Sequence, residues 1–189
     1  MKAKTDVELL EAFRRGRDEA FDELVRRHGQ AIKAYALRML KNPERAEEVF
    51  VDTFLRVARN RGQWENRGTV RGFLFTIAHR LCIDIQRKRK LEREAFPSLV
   101  DITRTWAQTP SPEAVAMLGQ RAQQLEVALS RLSDAHRQVI LLRLIHGLSA
   151  RETGETLGLD EQQVHNQLSY ARRRLREELD LGLAARGNT

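Results

Sequence analysis

The stretch LSARETGETLGLDEQQVHNQLSYARRRLREEL, residues 148–179, decides the fold of this chain. Ser149 and Glu152 have the S-x-x-E spacing of a capping box, which satisfies the first unpaired amide groups of a helix. Gly158 then supplies the left-handed conformation in which many helices end. The spacing predicts a short helix that begins after Ser149 and ends at about Leu157.

A second helix is predicted directly after that glycine. Asp160 is a suitable N-cap, and Gln163 stands in the reciprocal position of another capping box. Two capped helices around the break at residues 158–160 predict a helix-turn-helix. Residues 135–144 predict a further helix before the pair. The apolar residues expected to pack it against the pair are Val139, Leu142 and Leu144.

The second helix of the motif separates into an apolar and a polar side, at about 100° per residue. Its apolar stripe consists of Val164, Leu168, Ala171, Leu175 and Leu179. The opposite side carries Gln162, Asn166, Ser169 and Arg173, flanked by Arg172, Arg174 and Arg176. In the major groove glutamine and asparagine pair with adenine and arginine pairs with guanine, while flanking arginines suit phosphates. The helix therefore predicts contact with duplex DNA, and a surface helix with a solvated polar side is the alternative.

The basic surplus of the chain lies away from this motif. The 189 residues carry 33 basic and 26 acidic side chains, a formal net charge of +7. Residues 1–94 hold 22 basic and 15 acidic side chains, residues 95–119 hold 1 and 2, and residues 120–189 hold 10 and 9. Such a surplus fits a polyanionic partner, and its position predicts that the N-terminal part also contacts nucleic acid.

The chain is predicted to form two helical domains. Three of the four prolines fall within residues 97–112, among Ser, Thr and Gln, where helical periodicity lapses. This pattern divides the chain into a domain at residues 1–94, a flexible linker at 95–119 and a domain at 120–189. Alternating β-branched runs are absent from the sequence, so the predicted fold class is all-α.

The remaining bulk features predict a soluble, cytoplasmic protein. The N-terminal residues lack an apolar signal segment, and no apolar run approaches the ~20 residues that span a membrane. We therefore expect no membrane insertion. Cys82, the single cysteine of the sequence, rules out an internal disulfide and fits a reducing compartment. Its apolar helical setting predicts a packed thiol.

Residues 43–60, PERAEEVFVDTFLRVARN, predict an amphipathic helix whose outer side is unusual. Its core side consists of Ala46, Val49, Phe50, Thr53, Phe54 and Val57. The outer side interleaves acids with aliphatics, namely Glu48, Val51, Asp52 and Leu55. Such a surface suits a protein partner, with an apolar centre and charges that set the register. Plain surface charge at Glu47, Glu48 and Asp52 is an alternative. A metal site of paired carboxylates is a less favoured interpretation, because no histidine or further acid stands at ligand spacing.

Residues 69–90, TVRGFLFTIAHRLCIDIQRKRK, predict a helix with a basic outer side. Its expected buried side is Phe73, Leu74, Ile77, Ala78, Leu81 and Ile85. The expected outer side is Phe75, His79, Ile83 and Gln86, with Arg71, Arg80 and Arg87 nearby. An aromatic ring and an imidazole there would stack on unpaired bases while arginines hold the backbone. Each residue also has an ordinary interpretation: Phe75 as a packed ring and His79 as a plain polar side chain.

A polar loop precedes this helix at residues 60–68, NRGQWENRG. Trp64 and the two glycines predict a pocket for an extruded base. The alternative interpretation is that Trp64 is a core anchor. The coincidence of this loop with the basic side of the following helix favours contact with single-stranded nucleic acid.

Four segments together resemble bacterial RNA polymerase sigma factors of the extracytoplasmic-function (ECF) group, which belong to the sigma-70 family and contain only sigma regions 2 and 4. The segments are AFDELVRRH (20–28), AEEVFVDTFLRV (46–57), GFLFTIAHRLCIDIQRKR (72–89) and ALSRLSDAHRQVILLRLIHGLSARETGETLGLDEQQVHNQLSYARRRLREEL (128–179). The similarity covers nearly the whole chain, and the order, the spacing and the linker agree. It implies a region 2 helical bundle and a region 4 helix-turn-helix.

The resemblance also implies partners and contact residues. Region 2 of that family docks on the β′ clamp helices of core RNA polymerase and opens the −10 promoter element, and region 4 meets the β flap and the −35 duplex. The implied polymerase contacts are Glu47, Glu48, Val51, Asp52 and Leu55. The implied contacts with unpaired −10 bases are Trp64, Asn66, Arg67, Arg71, Phe75, His79 and Arg80. The implied contacts with the −35 duplex are Arg151, Gln162, Gln163, Asn166, Ser169, Arg172 and Arg173.

The chain departs from the family pattern at several positions. Val51 stands where the family commonly has Gln, which alters the polar part of the β′ contact, and Phe73 replaces a common Trp. His79 replaces a common Asn, which is expected to alter −10 base preference. Gly154 falls within a helix, where glycine costs up to about 1 kcal/mol relative to alanine. It either loosens this domain or permits close helix packing.

The resemblance implies a promoter-specificity subunit that binds core polymerase and recognises the −10 and −35 elements. Such a protein is not an enzyme and needs no cofactor, no metal and no small-molecule substrate. In that family a cognate anti-sigma factor commonly covers the polymerase-binding surfaces and can hold the protein near the membrane. One alternative is a helix-turn-helix repressor or activator that binds duplex DNA without polymerase. The least favoured alternative is a metal-dependent nuclease that uses carboxylates.

Overall fold

The computed structural model describes residues 4–59, 68–95 and 120–184. These ranges contain eight α-helices and one π-helical turn, and no β-strand occurs among them, so the all-α class is confirmed. The chain forms two compact units, Met1–Gln108 and Thr109–Thr189. The division falls inside the range assigned above to a linker, and the domain boundaries at residues 94 and 120 remain predictions.

The first unit contains four helices: α1 Asp6–Arg14, α2 Asp18–Leu40, α3 Pro43–Arg59 and α4 Val70–Ala95. α1 begins with a capping box in which Thr5 and Glu8 bond each other's backbone amides. α2 ends at Lys41, whose φ of 52° places it in the left-handed region. The turn there is short, so α3 follows after one further residue and packs back against α2.

α2 is the central helix of the first unit, because it packs against α1, α3 and α4. Its buried residues include Leu24, Ile32 and Tyr35, and the Tyr35 ring meets the edge of the Phe75 ring with centroids 5.5 Å apart. Gly29 lets α3 approach closely, since a Cβ at that position would lie 2.8 Å from the Phe50 ring.

The second unit contains α5 Gln120–Arg131, α6 Asp134–Ile140, a π-helical turn Leu141–Ile145, α7 Ala150–Leu157 and α8 Glu161–Ala184. α8 packs against α5, α6 and α7 and so supports the whole unit. The core of this unit includes fully buried side chains from α6 and from the π-helical turn, namely Val139, Ile140, Leu141 and Leu142.

The predicted helix at residues 135–144 is partly wrong. Val139 and Leu142 are buried as expected, but Leu144 is 43% exposed. The amide of His146 bonds to the carbonyl of Leu141, five residues back, so the chain makes a wide π turn at this point. Leu144 stands two residues after the buried Leu142, about half a helical turn away, so it faces solvent when Leu142 faces the core.

Within the part of the chain that the structure describes, no helix is both long enough and apolar enough to cross a lipid bilayer.

Candidate nucleic-acid and protein interfaces

The helix-turn-helix has the predicted caps. Ser149 Oγ accepts the amide proton of Glu152 at 3.1 Å, and Glu152 accepts that of Ser149 at 2.8 Å. Asp160 and Gln163 form the matching pair, at 2.7 and 2.9 Å. Gly158 adopts φ +70° between α7 and α8. Local side-chain chemistry therefore sets both ends of the turn.

Gly154 allows the two helices of the motif to approach each other. A Cβ at this position would lie 2.4 Å from the carbonyl oxygen of Leu159 and 3.7 Å from Val164. The Leu159 amide donates to the Gly154 carbonyl at 2.9 Å, which holds the two backbones together. Of the two interpretations of this glycine, close packing is confirmed.

α8 presents the predicted polar side to solvent. Its apolar stripe is buried at Val164, Leu168 and Ala171 and half-buried at Leu175 and Leu179. The residues expected to contact duplex DNA are all exposed: Arg151, Gln162, Gln163, Asn166, Ser169, Arg172 and Arg173. The face assignment made from periodicity is therefore confirmed, and the DNA contacts themselves stay predictions.

Several of these exposed side chains already have local partners. Gln162 Nε2 donates to Asn166 Oδ1 at 3.1 Å, which aligns the two amides along the helix. The side-chain carbonyl oxygen of Gln163 accepts the Asp160 amide proton at the α8 cap, and its amide nitrogen remains available for a base. Arg151 pairs with Glu155 at 3.0 Å, and this hydrogen bond raises the pKa of Arg151. The other N–H groups of the Arg151 guanidinium remain as donors for a phosphate.

α3 presents the predicted mixed surface. Five residues are exposed together on its outer side: Glu47, Glu48, Val51, Asp52 and Leu55. Val51 and Leu55 are 43% and 42% exposed and stand one helical turn apart, so they form an apolar centre on this surface. The predicted core side is buried except at Phe50, which is half-buried.

The three acids of this surface differ in their ion pairs. Glu47 pairs with Lys33 of α2 at 2.5 Å, and Glu48 pairs with Arg45 at 2.7 Å. Asp52 makes no ion pair with any residue in the described ranges. Across those same ranges, no group of three or more histidine, cysteine, aspartate or glutamate side chains is placed to hold a metal ion.

The outer side predicted for α4 is wrong at Phe75 and His79. Phe75 is fully buried against Tyr35, and His79 is 7% exposed. The Tyr35 hydroxyl and His79 Nδ1 are hydrogen-bonded at 2.8 Å. Burial, and secondarily the charge of Arg80, lowers the pKa of His79 to about 4. A neutral, enclosed imidazole and a fully packed ring cannot stack on an unpaired base.

The physical reason for this error lies in how α4 is packed. Its buried residues include Leu74, Phe75, Ala78, His79 and Cys82, which at about 100° per residue cover a wider arc than a single stripe. Phe73, Ile77 and Ile85, expected in the core, are half-buried instead. No local pattern in the sequence points to Tyr35 as the partner of His79, because the two residues lie on different helices.

The other residues predicted to contact unpaired bases divide into two groups. Arg80 is exposed, and Arg71 is half-buried with its guanidinium 5.5 Å from the Phe75 ring centroid. Trp64, Asn66 and Arg67 lie outside the described residues. Cys82 is buried, and burial raises the pKa of its thiol to about 12, so the expectation of a packed, unreactive thiol is confirmed.

The second unit contains an aromatic cluster that the sequence patterns do not predict. The rings of His136 on α6 and Tyr170 on α8 lie with centroids 4.6 Å apart, and the Arg173 guanidinium sits 5.0 Å above the Tyr170 ring. Tyr170 is nonetheless 45% exposed. Only the spacing of Tyr170 and Arg173, three residues apart on one helix, was visible in the sequence.

Comparison with known proteins gives matches over both units. The family model Sigma-70 region 2 matches residues 24–92, and Sigma-70, region 4 matches residues 128–177. The chain is 34% identical to the ECF RNA polymerase sigma factor SigE of Mycolicibacterium smegmatis over 161 residues, 85% of this chain and 62% of that protein. It thus spans less than two thirds of that relative.

A second relative is covered more fully. The ECF RNA polymerase sigma factor SigM of Mycobacterium tuberculosis is 30% identical over 172 residues, 91% of this chain and 83% of that protein. Among solved structures, CnrH in complex with the cytosolic domain of CnrY has a TM-score of 0.68 and 25% identity. That similarity covers 94% of this chain and 99% of CnrH.

Proposed function

The chain belongs to the ECF RNA polymerase sigma factors of the sigma-70 family, and from that premise we propose that it directs core RNA polymerase to promoters through −10 and −35 elements. The observation that carries the proposal is the presence of both sigma regions, in order, on two separate compact units. The protein contributes binding and positioning and performs no covalent chemistry of its own.

The polymerase surface of this proposal is the outer side of α3. Val51 and Leu55 supply an exposed apolar centre, and the surrounding acids supply a negative rim, a combination that suits a basic protein partner. Because Glu47 and Glu48 already have basic partners within the chain, Asp52 offers the carboxylate that binds without first breaking an ion pair. The β′ clamp helices are the proposed partner.

The duplex surface of this proposal is the polar side of α8. Gln162, Asn166 and Arg173 are exposed in line and are the residue types that hydrogen-bond base edges in the major groove. Arg172 and Arg151 flank them and suit phosphates. The β flap of the polymerase is proposed to hold this unit at the −35 element.

The proposed −10 surface is smaller than the sequence suggested. Arg71 and Arg80 remain as contacts for the backbone of the unpaired strand, together with Trp64, Asn66 and Arg67 from the preceding loop. Phe75 and His79 are not part of this surface, because both side chains are packed inside the first unit. His79 therefore acts on promoter choice only through the stability of the fold.

An anti-sigma protein is the proposed regulatory partner. CnrH, which shares this fold, is in complex with the cytosolic domain of CnrY. By analogy we place this chain in the cytoplasm, where a partner of the same kind would cover its polymerase surfaces and hold it near a membrane. Such a partner would cover the exposed apolar residues Val51 and Leu55 on α3.

The test of the function is complex formation with core polymerase. The wild-type chain should bind core enzyme and start transcription at a cognate promoter. A Glu48→Lys, Asp52→Lys variant should lose core binding, because it places positive charge on the proposed contact. The control is Glu19→Lys with Asp22→Lys, which makes the same charge change on α2, away from that contact. The proposal fails if the wild type forms no complex, or if both variants bind core equally.

A further inference from the structure

Three side chains from two helices form a cluster in the second unit: His136, Tyr170 and Arg173. The centroid of the Tyr170 ring lies 4.6 Å from that of the His136 ring and 5.0 Å from the Arg173 guanidinium. The rings of His136 and Tyr170 are tilted by 35°. Contacts of this kind restrict side chains that would otherwise move in solvent.

The cluster adjoins the side of α8 proposed to contact DNA. Asn166 precedes Tyr170 by four residues and Arg173 follows it by three, so all three lie on one side of the helix. Tyr170 is 45% exposed, which leaves part of its ring available on that side. Its contact with His136 extends this surface from α8 onto α6.

One ring nitrogen of His136 makes a hydrogen bond within α6 and its cap. Its Nδ1 lies 2.9 Å from Ser133 Oγ, the N-cap of α6, and that oxygen also accepts the His136 backbone amide at 3.5 Å. The Ser133 hydroxyl can donate its proton to Nδ1, and in that arrangement Nε2 is the ring nitrogen that carries a proton. Nε2 makes no hydrogen bond within the described ranges.

We infer that His136 donates its Nε2 proton to a backbone phosphate of the duplex that α8 contacts, with Tyr170 as the positioning residue. This inference rests on the proposed function and adds a DNA contact outside the helix-turn-helix itself. A phosphate is the fitting acceptor, because His136 lies on α6, beside the helix proposed to enter the groove, and phosphates border the groove. Arg173 adds positive charge over the Tyr170 ring.

The experiment uses the holoenzyme formed from the full chain and core polymerase. Wild-type holoenzyme first selects a duplex from a random pool, and that duplex is then made with single methylphosphonates, which remove the charge and an acceptor at one backbone position. Substitution at one position should weaken wild-type binding. His136→Ala should lower affinity for the unmodified duplex by about fivefold to tenfold. The same loss should be seen on duplexes with base substitutions. Binding of the variant should not change further when that one phosphate is replaced by the methylphosphonate.

Three further variants separate a contact from a structural effect. His136→Gln should recover part of the affinity, because its amide can donate. Tyr170→Phe should resemble wild type since the ring is kept, whereas Tyr170→Ala should weaken the phosphonate effect. His165→Ala is the control: this exposed histidine of α8 bonds its own helix at Glu161 O, and its loss should leave the effect at that phosphate unchanged.

The outcomes distinguish the inference from the function on which it rests. If wild-type holoenzyme selects no duplex, the proposed function fails and the inference fails with it. If wild type selects a duplex but His136→Ala binds it equally well, the inference alone is overturned. It is also overturned if His136→Ala binds weakly yet remains sensitive to every phosphonate that affects wild type, because the loss is then only structural.

Discussion

Two residues of this protein, Gly154 and His79, are important because of what packs against them. Gly154 matters because the Leu159 carbonyl, beyond the end of its helix, occupies the space that any side chain would need. His79 matters because it is enclosed beside Tyr35, 44 residues away. At both positions the structure shows a packing role.

Replacing Gly154 by alanine should destabilise the second unit by about 1–3 kcal/mol, because the new Cβ would overlap the Leu159 carbonyl. On an unobstructed helix the same change would stabilise by up to about 1 kcal/mol. Amide hydrogen exchange in the full chain should show faster exchange across α7 and α8. Gly29→Ala is the matched control: its neighbour is the edge of the Phe50 ring, which can move, so the loss should be smaller.

His79 should make the first unit less stable in mild acid. Burial lowers its pKa from the ordinary value of 6.5 to about 4 in the folded chain, so the imidazole is neutral in both the folded and the unfolded chain above pH 6.5. As pH falls from 6.5 towards 4, the unfolded chain binds a proton that the folded chain does not, and up to about 3 kcal/mol of stability is lost.

Urea denaturation of wild type and His79→Gln at about pH 7 and about pH 4.5 measures this effect by linkage. Glutamine can still accept a hydrogen bond from Tyr35 but does not titrate, so its stability should fall less with pH. Equal pH dependence in the two proteins would show that His79 does not carry the effect.

Helices differ in how much of their surface the fold covers. α8 buries one apolar stripe and leaves its polar side in solvent, as its periodicity predicts. α4 buries Phe75 and His79 in addition to Leu74, Ala78 and Leu81, so its buried residues cover a wider arc of the helix. A helix covered on one side can be assigned from its sequence, whereas a helix covered on several sides cannot.

Two adjacent arginines of α8 should have different effects on DNA binding. Arg173→Ala should relax base choice at the −35 element by about 1–3 kcal/mol, because Arg173 lies in line with Asn166 and is held over Tyr170. Arg172→Ala should weaken binding to all sequences and lower the salt slope by about one unit. Competition binding against base-substituted duplexes separates the two. Equal, sequence-independent losses would contradict this assignment.

At the scale of the whole chain, the two units carry unequal charge. Residues 1–94 have a basic surplus of seven, while residues 120–189 have a surplus of only one. Affinity for nucleic acid depends strongly on the number of phosphates neutralised. The helix-turn-helix therefore suits placement on a duplex, and the first unit is suited to hold an opened strand.

A fragment of residues 109–189 should consequently bind the −35 duplex weakly and open no DNA. The holoenzyme with the full chain should protect the duplex and also make thymines near the −10 element reactive to permanganate. Footprinting and permanganate probing on one promoter compare the two directly. If the fragment alone binds the full site as tightly as the holoenzyme, a duplex-binding repressor or activator becomes the better description.

The sequence by itself determined the features that depend on near neighbours. The capping boxes at Ser149 and Asp160 and the exposed mixed surface of α3 were predicted and are present. Caps form between residues three apart, and a helix packed on one side exposes the other, so both effects are encoded within a few turns.

Only the tertiary structure decided the features that depend on partners in other elements. It placed Phe75 and His79 in the core beside Tyr35 and set Val164 of α8 against Gly154 of α7. It also brought His136 to Tyr170 from another helix. These contacts follow from how whole helices pack, and close packing between separate segments leaves no periodic signal in the chain.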